Sequence, residues 1–176
     1  MTYTKTGVSA GTTYKFKVQA RNAAGFGTES AEFSIIAATI PGVVTAITRD
    51  EVNTSKTQVA FTWTAPTSTG GSAVIDYTIM WDQGTGTYIQ AAAAITNTSF
   101  TKTGLSAGTT YNFKVQARNV IGVGSLTSAF SIVAAIVPSV PTTLTRDNVN
   151  TTKTQVAFTW SAPTDNGGVA VIDYSI

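Results

Sequence analysis

An internal repeat constrains this chain more than any other feature of its sequence. The segment GTTYKFKVQARNAAGFGT at residues 11–28 returns as GTTYNFKVQARNVIGVGS at residues 108–125, and Trp63 and Trp160 keep the same separation of 97 residues. Aligned at that offset, residues 1–79 and 98–176 are identical at roughly two thirds of positions without a gap. The sequence therefore indicates tandem duplication, with one whole repeat flanked by two incomplete ones.

Composition excludes several classes of function. Charged residues make up 11% of the chain and the net charge is +2, which is too little to predict a nucleic-acid or anionic-membrane partner. Apolar runs such as residues 132–137 fall far short of the roughly 20 residues of a membrane span, so we expect no membrane insertion. Cysteine and histidine are absent. Nucleophile pairs built on His or Cys and the usual zinc ligands are therefore absent too, and we expect no enzyme, metal or cofactor.

The whole repeat alternates apolar and polar residues with period two, which predicts half-buried strands. In QVAFTWTAP, apolar Val59, Phe61 and Trp63 alternate with smaller or polar residues, and TYNFKVQAR at residues 110–118 follows the same rule. VIDYTIMWD and SAFSIVAAI add two further strands, with Ile75, Tyr77, Ile79 and Trp81 predicted to face inward in the first. Turn-forming clusters separate these runs, and no helical period is sustained. The pattern predicts an all-β antiparallel sandwich, with a small closed barrel as the alternative.

Two stretches of this repeat resemble the fibronectin type III family. The first match comprises Trp63, Pro66, Ile75 and Tyr77, and the second comprises Leu105, Gly108, Tyr111, Asn119, Gly122 and Gly124. The resemblance implies an immunoglobulin-like sandwich and protein–protein contact as the general mode of action. It also implies that Tyr111, and Tyr14 in the first copy, are corner tyrosines whose hydroxyls bond to nearby backbone. Trp160 repeats the position of Trp63.

The resemblance also implies domain boundaries. Pro41 and Pro138 open successive domains, so that residues 1–40 hold strands E to G of one repeat, residues 41–137 a complete repeat, and residues 138–176 strands A to C of another. Such short junctions favour an extended rod. Two interpretations of the partial repeats remain: either neighbouring segments of a longer array complete them, or the half-domains of successive molecules complete each other head to tail. The halves together still lack the equivalent of residues 80–97, which favours the first interpretation.

Candidate sites are few, and each has a simpler structural explanation. Three Asn-X-Ser/Thr sequences, at Asn53, Asn97 and Asn150, are glycosylation acceptors in a secretory eukaryotic setting. Apolar loop tips at Phe26, Ile121 and Val123 fit either an interdomain contact or a protein-binding loop.

Charged residues offer no better candidates. The outward-facing lysines and arginines of the repeated strand fit a solvated sheet face, and TDNGG at residues 164–168 fits a turn better than a calcium site. Asp76 with Asp82, and Asp50 with Glu51, are rejected as catalytic pairs because we expect solvent-facing positions for them.

We therefore expect a non-catalytic spacer, adhesion or protein-interaction segment of a larger multi-repeat protein, extracellular or at the cell surface. Its partners would be other proteins or neighbouring repeats. The alternatives are a filament subunit that self-associates through its incomplete ends and an accessory binding module of a glycan-active enzyme. An exposed row of aromatic side chains would support the enzyme-module alternative, but most aromatics here fall on inward-facing positions.

Overall fold

The computed structural model describes all of residues 1–176 and contains strands but no helices. Four strands lie in the first 40 residues: β1 (Thr13–Phe16), β2 (Arg21–Asn22), β3 (Gly25–Phe26) and β4 (Phe33–Ile36). Seven follow in the middle: β5 (Thr45–Arg49), β6 (Gln58–Thr64), β7 (Asp76–Trp81), β8 (Ile89–Ile95), β9 (Ser99–Thr103), β10 (Thr110–Arg118) and β11 (Phe130–Val133). The last two are β12 (Thr142–Arg146) and β13 (Phe158–Ser161).

Strands β5 to β11 form a two-sheet sandwich, which we call the central unit. One sheet has the order β5-β6-β9 and the other β11-β10-β7-β8, and all pairs are antiparallel. Tyr111, Phe113, Val115 and Ala117 on β10 are all buried, as their alternation predicts. Phe61 of the opposite sheet packs on Phe113 with ring centroids 5.0 Å apart. Two separate sheets with a common aromatic core identify the sandwich rather than the closed barrel.

The N-terminal segment (residues 1–40) and the C-terminal segment (residues 138–176) form less sheet than their sequences predict. Strand β1 covers four residues where its equivalent β10 covers nine, and residues 1–12 and 171–176 form no strand. The reason is pairing. In the central unit β9 bonds to β6 and β7 bonds to β10, whereas the equivalents of these partners lie in the opposite terminal segment. Backbone groups without a ladder partner remain irregular.

Candidate functional site

The central unit meets the N-terminal segment through the loop before β7. The amide of Thr39, in the N-terminal segment, donates to the carbonyl oxygen of Gly70 at 2.8 Å. Just past the boundary, within the central repeat, the amide of Gly42 donates to the oxygen of Ser68 in the same loop at 2.9 Å. Gly11, in the turn before β1, faces the same loop: a Cβ on it would lie 2.7 Å from the carbonyl oxygen of Gly71. This first junction is therefore a backbone-to-backbone contact.

A second junction, between the central unit and the C-terminal segment, repeats the first at an offset of 97 residues. The amide of Ile136, in the central repeat, donates to the oxygen of Gly167 at 2.9 Å. Just past the boundary, within the C-terminal segment, the amide of Ser139 donates to the oxygen of Asp165 at 2.9 Å. A Cβ on Gly108 would lie 2.6 Å from the oxygen of Gly168. Equivalent sequence thus builds an equivalent junction at both places in the chain.

Glycine is required at the centre of each junction. Gly70 and Gly167 have φ angles of 73° and 75°, in the left-handed region that side chains disfavour. A Cβ on Gly70 would overlap the oxygen of Thr39, and one on Gly167 would overlap the oxygen of Ile136. Both overlaps are with backbone, which cannot move aside as a flexible side chain can. The Gly-Gly pair in TSTGGSA and TDNGGVA therefore shapes the junction as well as the turn.

The two junctions differ in charge. Lys56 Nζ lies 2.7 Å from Oδ2 of Asp165 across the second junction, whereas Ser68 occupies the position of Asp165 at the first. The hydrogen bond from Lys56 lowers the pKa of Asp165, and a bond from the Gly167 amide adds to the effect. Both side chains are more than a third exposed, so screening by water and salt keeps the contribution of this pair to stability small.

Asn119, at the end of β10, reaches across the first junction. Its side-chain amide donates to the carbonyl oxygens of Thr39 at 2.8 Å and Thr69 at 2.9 Å, while its Oδ1 accepts from the amides of Ile121 and Gly122. The residue is buried. Sequence reasoning named Asn119 only as a family match and missed this contact, which joins residues 80 apart in the chain.

The apolar loop tips do not behave alike. Ile121 and Val123 are exposed, and the loop they form approaches Ile40, whose Cγ2 would lie 3.4 Å from a Cβ on Gly122. Phe26, in the equivalent loop of the N-terminal segment, is exposed and lies under the Arg21 guanidinium, 5.1 Å from ring centroid to Cζ. Of the two loops, only the one that carries Ile121 and Val123 therefore lies beside a junction.

The residues matched to the family core support the sandwich. The hydroxyl of Tyr111 accepts from the amide of Ser106 at 3.0 Å, and that of Tyr14 accepts from the amide of Ser9 at 2.8 Å. Trp63 packs edge-on against Tyr77 at 5.3 Å, and Trp160 packs against Tyr174 at the same distance. Pro66 and Leu105 are buried. Ile75, which also matches the family pattern, departs from its expected inward orientation and is exposed.

The expectation that Asp76 and Asp82 face solvent is also wrong, because both residues are buried. Arg118 binds Asp76 through two nitrogens, and this hydrogen bonding lowers the pKa of Asp76 against the opposing effect of burial. Burial raises the pKa of Asp82, but bonds from Asn112 and the Gly84 amide outweigh it and leave the pKa lowered. Both carboxylates thus have structural partners inside one sheet.

The three glycosylation sequences differ in how free their amides are. Asn53 donates from its side-chain amide to Asp50 Oδ2 at 2.7 Å, and Asn150 donates to Asp147 Oδ2 at the same distance. Asn97 is exposed just before β9 and makes no side-chain hydrogen bond. Modification of Asn53 or Asn150 would therefore have to break an existing turn, whereas modification of Asn97 would not.

No three His, Cys, Asp or Glu side chains come together in a way that could hold a metal ion. Nor does the structure contain a helix with the length and apolar character needed to cross a membrane.

These observations define a β-sandwich repeat module whose loops make the contacts between units. Comparison with known proteins agrees: the fibronectin type III domain matches residues 44–133. The chain belongs to the fibronectin type III family, whose domains are non-catalytic modules.

Two curated relatives and one solved structure illustrate the similarity. The chain is 34% identical to Exoglucanase B of Cellulomonas fimi over 99% of its length, and 31% identical to fibronectin type-III domain-containing protein 3A of Mus musculus over 94%. It spans only 16% and 14% of those proteins. A crystal structure of titin domains shares the fold, with a TM-score of 0.55 and 23% identity over 73% of this chain and 43% of that one.

Proposed function

We propose that this chain is a spacer segment in which consecutive fibronectin type III repeats are held at a fixed relative orientation. The observation that carries the proposal is the twice-built junction, in which Gly70 and Gly167 accept equivalent backbone hydrogen bonds. A flexible tether would need no such contact. A repeated rigid junction instead sets the distance between whatever lies on either side.

Domain boundaries at Pro41 and Pro138 fit this proposal. Pro41 is buried at the first junction, and Gly42 and Ser139, one residue after each proline, make the equivalent backbone bonds. The partners of such a spacer are neighbouring repeats in the first place. Contacts to other proteins, and a location outside the cell or at its surface, belong to the same proposal and follow from the family resemblance.

Small-angle X-ray scattering of the full chain tests the spacer. We expect one maximum dimension that stays constant as ionic strength rises, since the junctions are mainly backbone contacts and only the second carries a surface ion pair. A scattering curve that requires an ensemble of interdomain angles would contradict the proposal.

A second candidate, favoured by the 34% identity to Exoglucanase B, places the spacer inside a glycan-active enzyme. In such an enzyme the segment would separate the other domains and would not itself bind the glycan. In the central unit the rings of Trp81 and Tyr88 are half-buried, and Lys102 and Lys114 cover one face of each, at 4.4 and 4.2 Å from the ring centroids. Co-sedimentation with cellulose tests this: we expect the chain to stay in solution, and retention on the polymer would show that it is a binding module.

A further inference from the structure

The turn at the second junction contains the one Asn-Gly sequence of this chain, Asn166-Gly167. Every other asparagine is followed by a residue that carries a side chain. When an asparagine deamidates, the backbone nitrogen of the next residue attacks the side-chain amide, and glycine leaves that nitrogen least hindered. The first junction has Thr69 in the place of Asn166. Of the two junctions, only the second therefore carries residues that can react in this way.

The side chain of Asn166 is exposed to water but folded back onto its own turn. Its Oδ1 accepts a hydrogen bond from the amide of Gly168 at 3.0 Å. A bond of this kind keeps an asparagine side chain beside the backbone that follows it. It also draws electron density from the side-chain carbonyl, which makes Cγ more electrophilic. The carbon to be attacked is thus held near the Gly167 nitrogen before the reaction begins.

The Gly167 nitrogen has a proton acceptor already in place. Its N–H donates to Oδ1 of Asp165 at 2.8 Å, while Lys56 Nζ lies 2.7 Å from Oδ2 of the same carboxylate. A carboxylate is a weak base, but this one is fixed from both sides and bonded to the hydrogen that must leave. At the first junction Ser68 stands in the place of Asp165, so that turn lacks the base as well as the reactive amide.

Gly167 is also the residue on which the second junction depends. Its carbonyl oxygen accepts from the amide of Ile136 at 2.9 Å, and a Cβ on it would lie only 2.0 Å from the oxygen of Ile136. The backbone here has no room to shift. An isoaspartyl residue at position 166 would lengthen the main chain by one carbon directly before Gly167. That lengthening would displace the oxygen to which Ile136 bonds.

We propose that Asn166 is a site of self-catalysed deamidation and that the isoaspartyl product opens the second junction. The Gly167 nitrogen forms a bond to Asn166 Cγ, the bond from Cγ to Nδ2 breaks, and the hydrogen lost by Gly167 passes through Asp165 and leaves with Nδ2 as ammonia. Water then hydrolyses the cyclic imide. Attack at Cγ gives an aspartate, whereas attack at the main-chain carbonyl gives the isoaspartyl residue. Both products add one negative charge to the turn.

Peptide mapping by mass spectrometry, after incubation of the full chain at neutral pH, tests the site. We expect much faster amide loss at Asn166 than at Asn148, which is exposed in the same segment but precedes Val149. Enzymatic methylation of isoaspartate should label the peptide that contains residue 166. Asp165→Ser should slow the loss at least about tenfold, because a positioned base contributes more than this in enzymes. An unchanged rate in this variant, or a faster rate in urea than in the folded chain, would overturn the proposal.

Hydrogen exchange at the Ile136 amide, measured by NMR during the same incubation, reports on the junction. We expect it to quicken in step with isoaspartate formation, while exchange at the Thr39 amide of the first junction stays constant. Asn166→Thr gives the second junction the residue of the first, so it is the matched control and should keep slow exchange at Ile136 throughout. Isoaspartate formation without faster exchange at Ile136 would overturn the opening of the junction. Amide loss does not require a fixed orientation of the units, so this site and the spacer role can fail separately.

Discussion

Lys56 and Asp165 stand 109 residues apart in the chain, yet Lys56 Nζ lies 2.7 Å from Asp165 Oδ2 across the second junction. The first junction has Ser68 at the position of Asp165. The charge pair is thus an addition to a backbone contact that both junctions share, and the two contributions can be separated by mutation.

Asp165→Ser gives the second junction the residue found at the first. We expect it to change the free energy of unfolding only slightly, because the pair is surface-exposed and screened. High salt should produce the same small loss in the parent chain and little change in the variant, as measured by urea unfolding. A loss as large as that of a buried core substitution would mean that the ion pair, and not the backbone contact, holds the junction.

Gly167→Ala should open the second junction. The new Cβ would overlap the carbonyl oxygen of Ile136, whose amide bonds to Gly167. We expect faster hydrogen exchange at the Ile136 amide, measured by NMR. Gly86→Ala is the matched control, since Gly86 also has a positive φ but no atom within 4 Å of its Cβ position. Equal exchange at Ile136 in both variants would contradict the steric account.

Ile132→Ala and Ile35→Ala compare equivalent positions in buried and open settings. Ile132 is 3% exposed and Ile35 is 49% exposed. The first change removes packed methyl groups from a core and should cost about 2–5 kcal/mol. The second should leave the stability of the central unit unchanged. Thermal unfolding of both variants provides the measurement, and a large loss in Ile35→Ala would show that the N-terminal segment is packed in solution.

Tyr111→Phe removes one hydroxyl and the hydrogen bond that the Ser106 amide donates to it at 3.0 Å. We expect a loss of about 0.5–1.5 kcal/mol in the free energy of unfolding, typical of a single hydrogen bond. Tyr14→Phe, which removes the equivalent bond from the exposed Ser9 amide, should cost less because water can replace the lost partner. Equal costs would mean that burial plays no part.

Stability should fall in acid. Asp76 and Asp82 both have lowered pKa values in the folded chain, so the unfolded state binds more protons as the pH drops. The stabilisation they provide is complete above the ordinary aspartate pKa of about 3.9 and is lost as pH falls through their lower folded values. Urea unfolding between neutral and strongly acidic pH measures this, and Asp82→Asn should flatten the profile. A urea midpoint that rises as the pH falls would contradict this prediction.

The core of the central unit follows from the sequence because its signal is local. The alternation in TYNFKVQAR fixes which face of β10 is buried, and the structure buries those four side chains. Burial of Asp76 and Asp82 has no such signal. Each depends on a partner, Arg118 or Asn112, that lies 42 or 30 residues away and is brought near only by strand pairing.

The junctions could not be predicted from the sequence for a related reason. A Gly-Gly pair predicts a turn in any sequence, and nothing local to Gly70 or Gly167 shows that backbone from the preceding unit lies against it. The missing strands of residues 1–12 and 171–176 have the opposite cause. Their local pattern predicts strands, but a strand needs a neighbour to bond to, and residues 1–40 contain no equivalent of β6 while residues 138–176 contain no equivalent of β10.

If consecutive units are held at a fixed orientation, labels on two neighbouring units must be separated by a single distance. The chain contains no cysteine, so spin labels can be placed at Val52→Cys and Val149→Cys, exposed positions equivalent in the central unit and the C-terminal segment. Pulsed electron paramagnetic resonance should give one narrow distribution of distances between the two labels, and adding Gly167→Ala should broaden it. A broad distribution in the parent chain, unchanged by Gly167→Ala, would show that the junction does not hold the units at a fixed orientation.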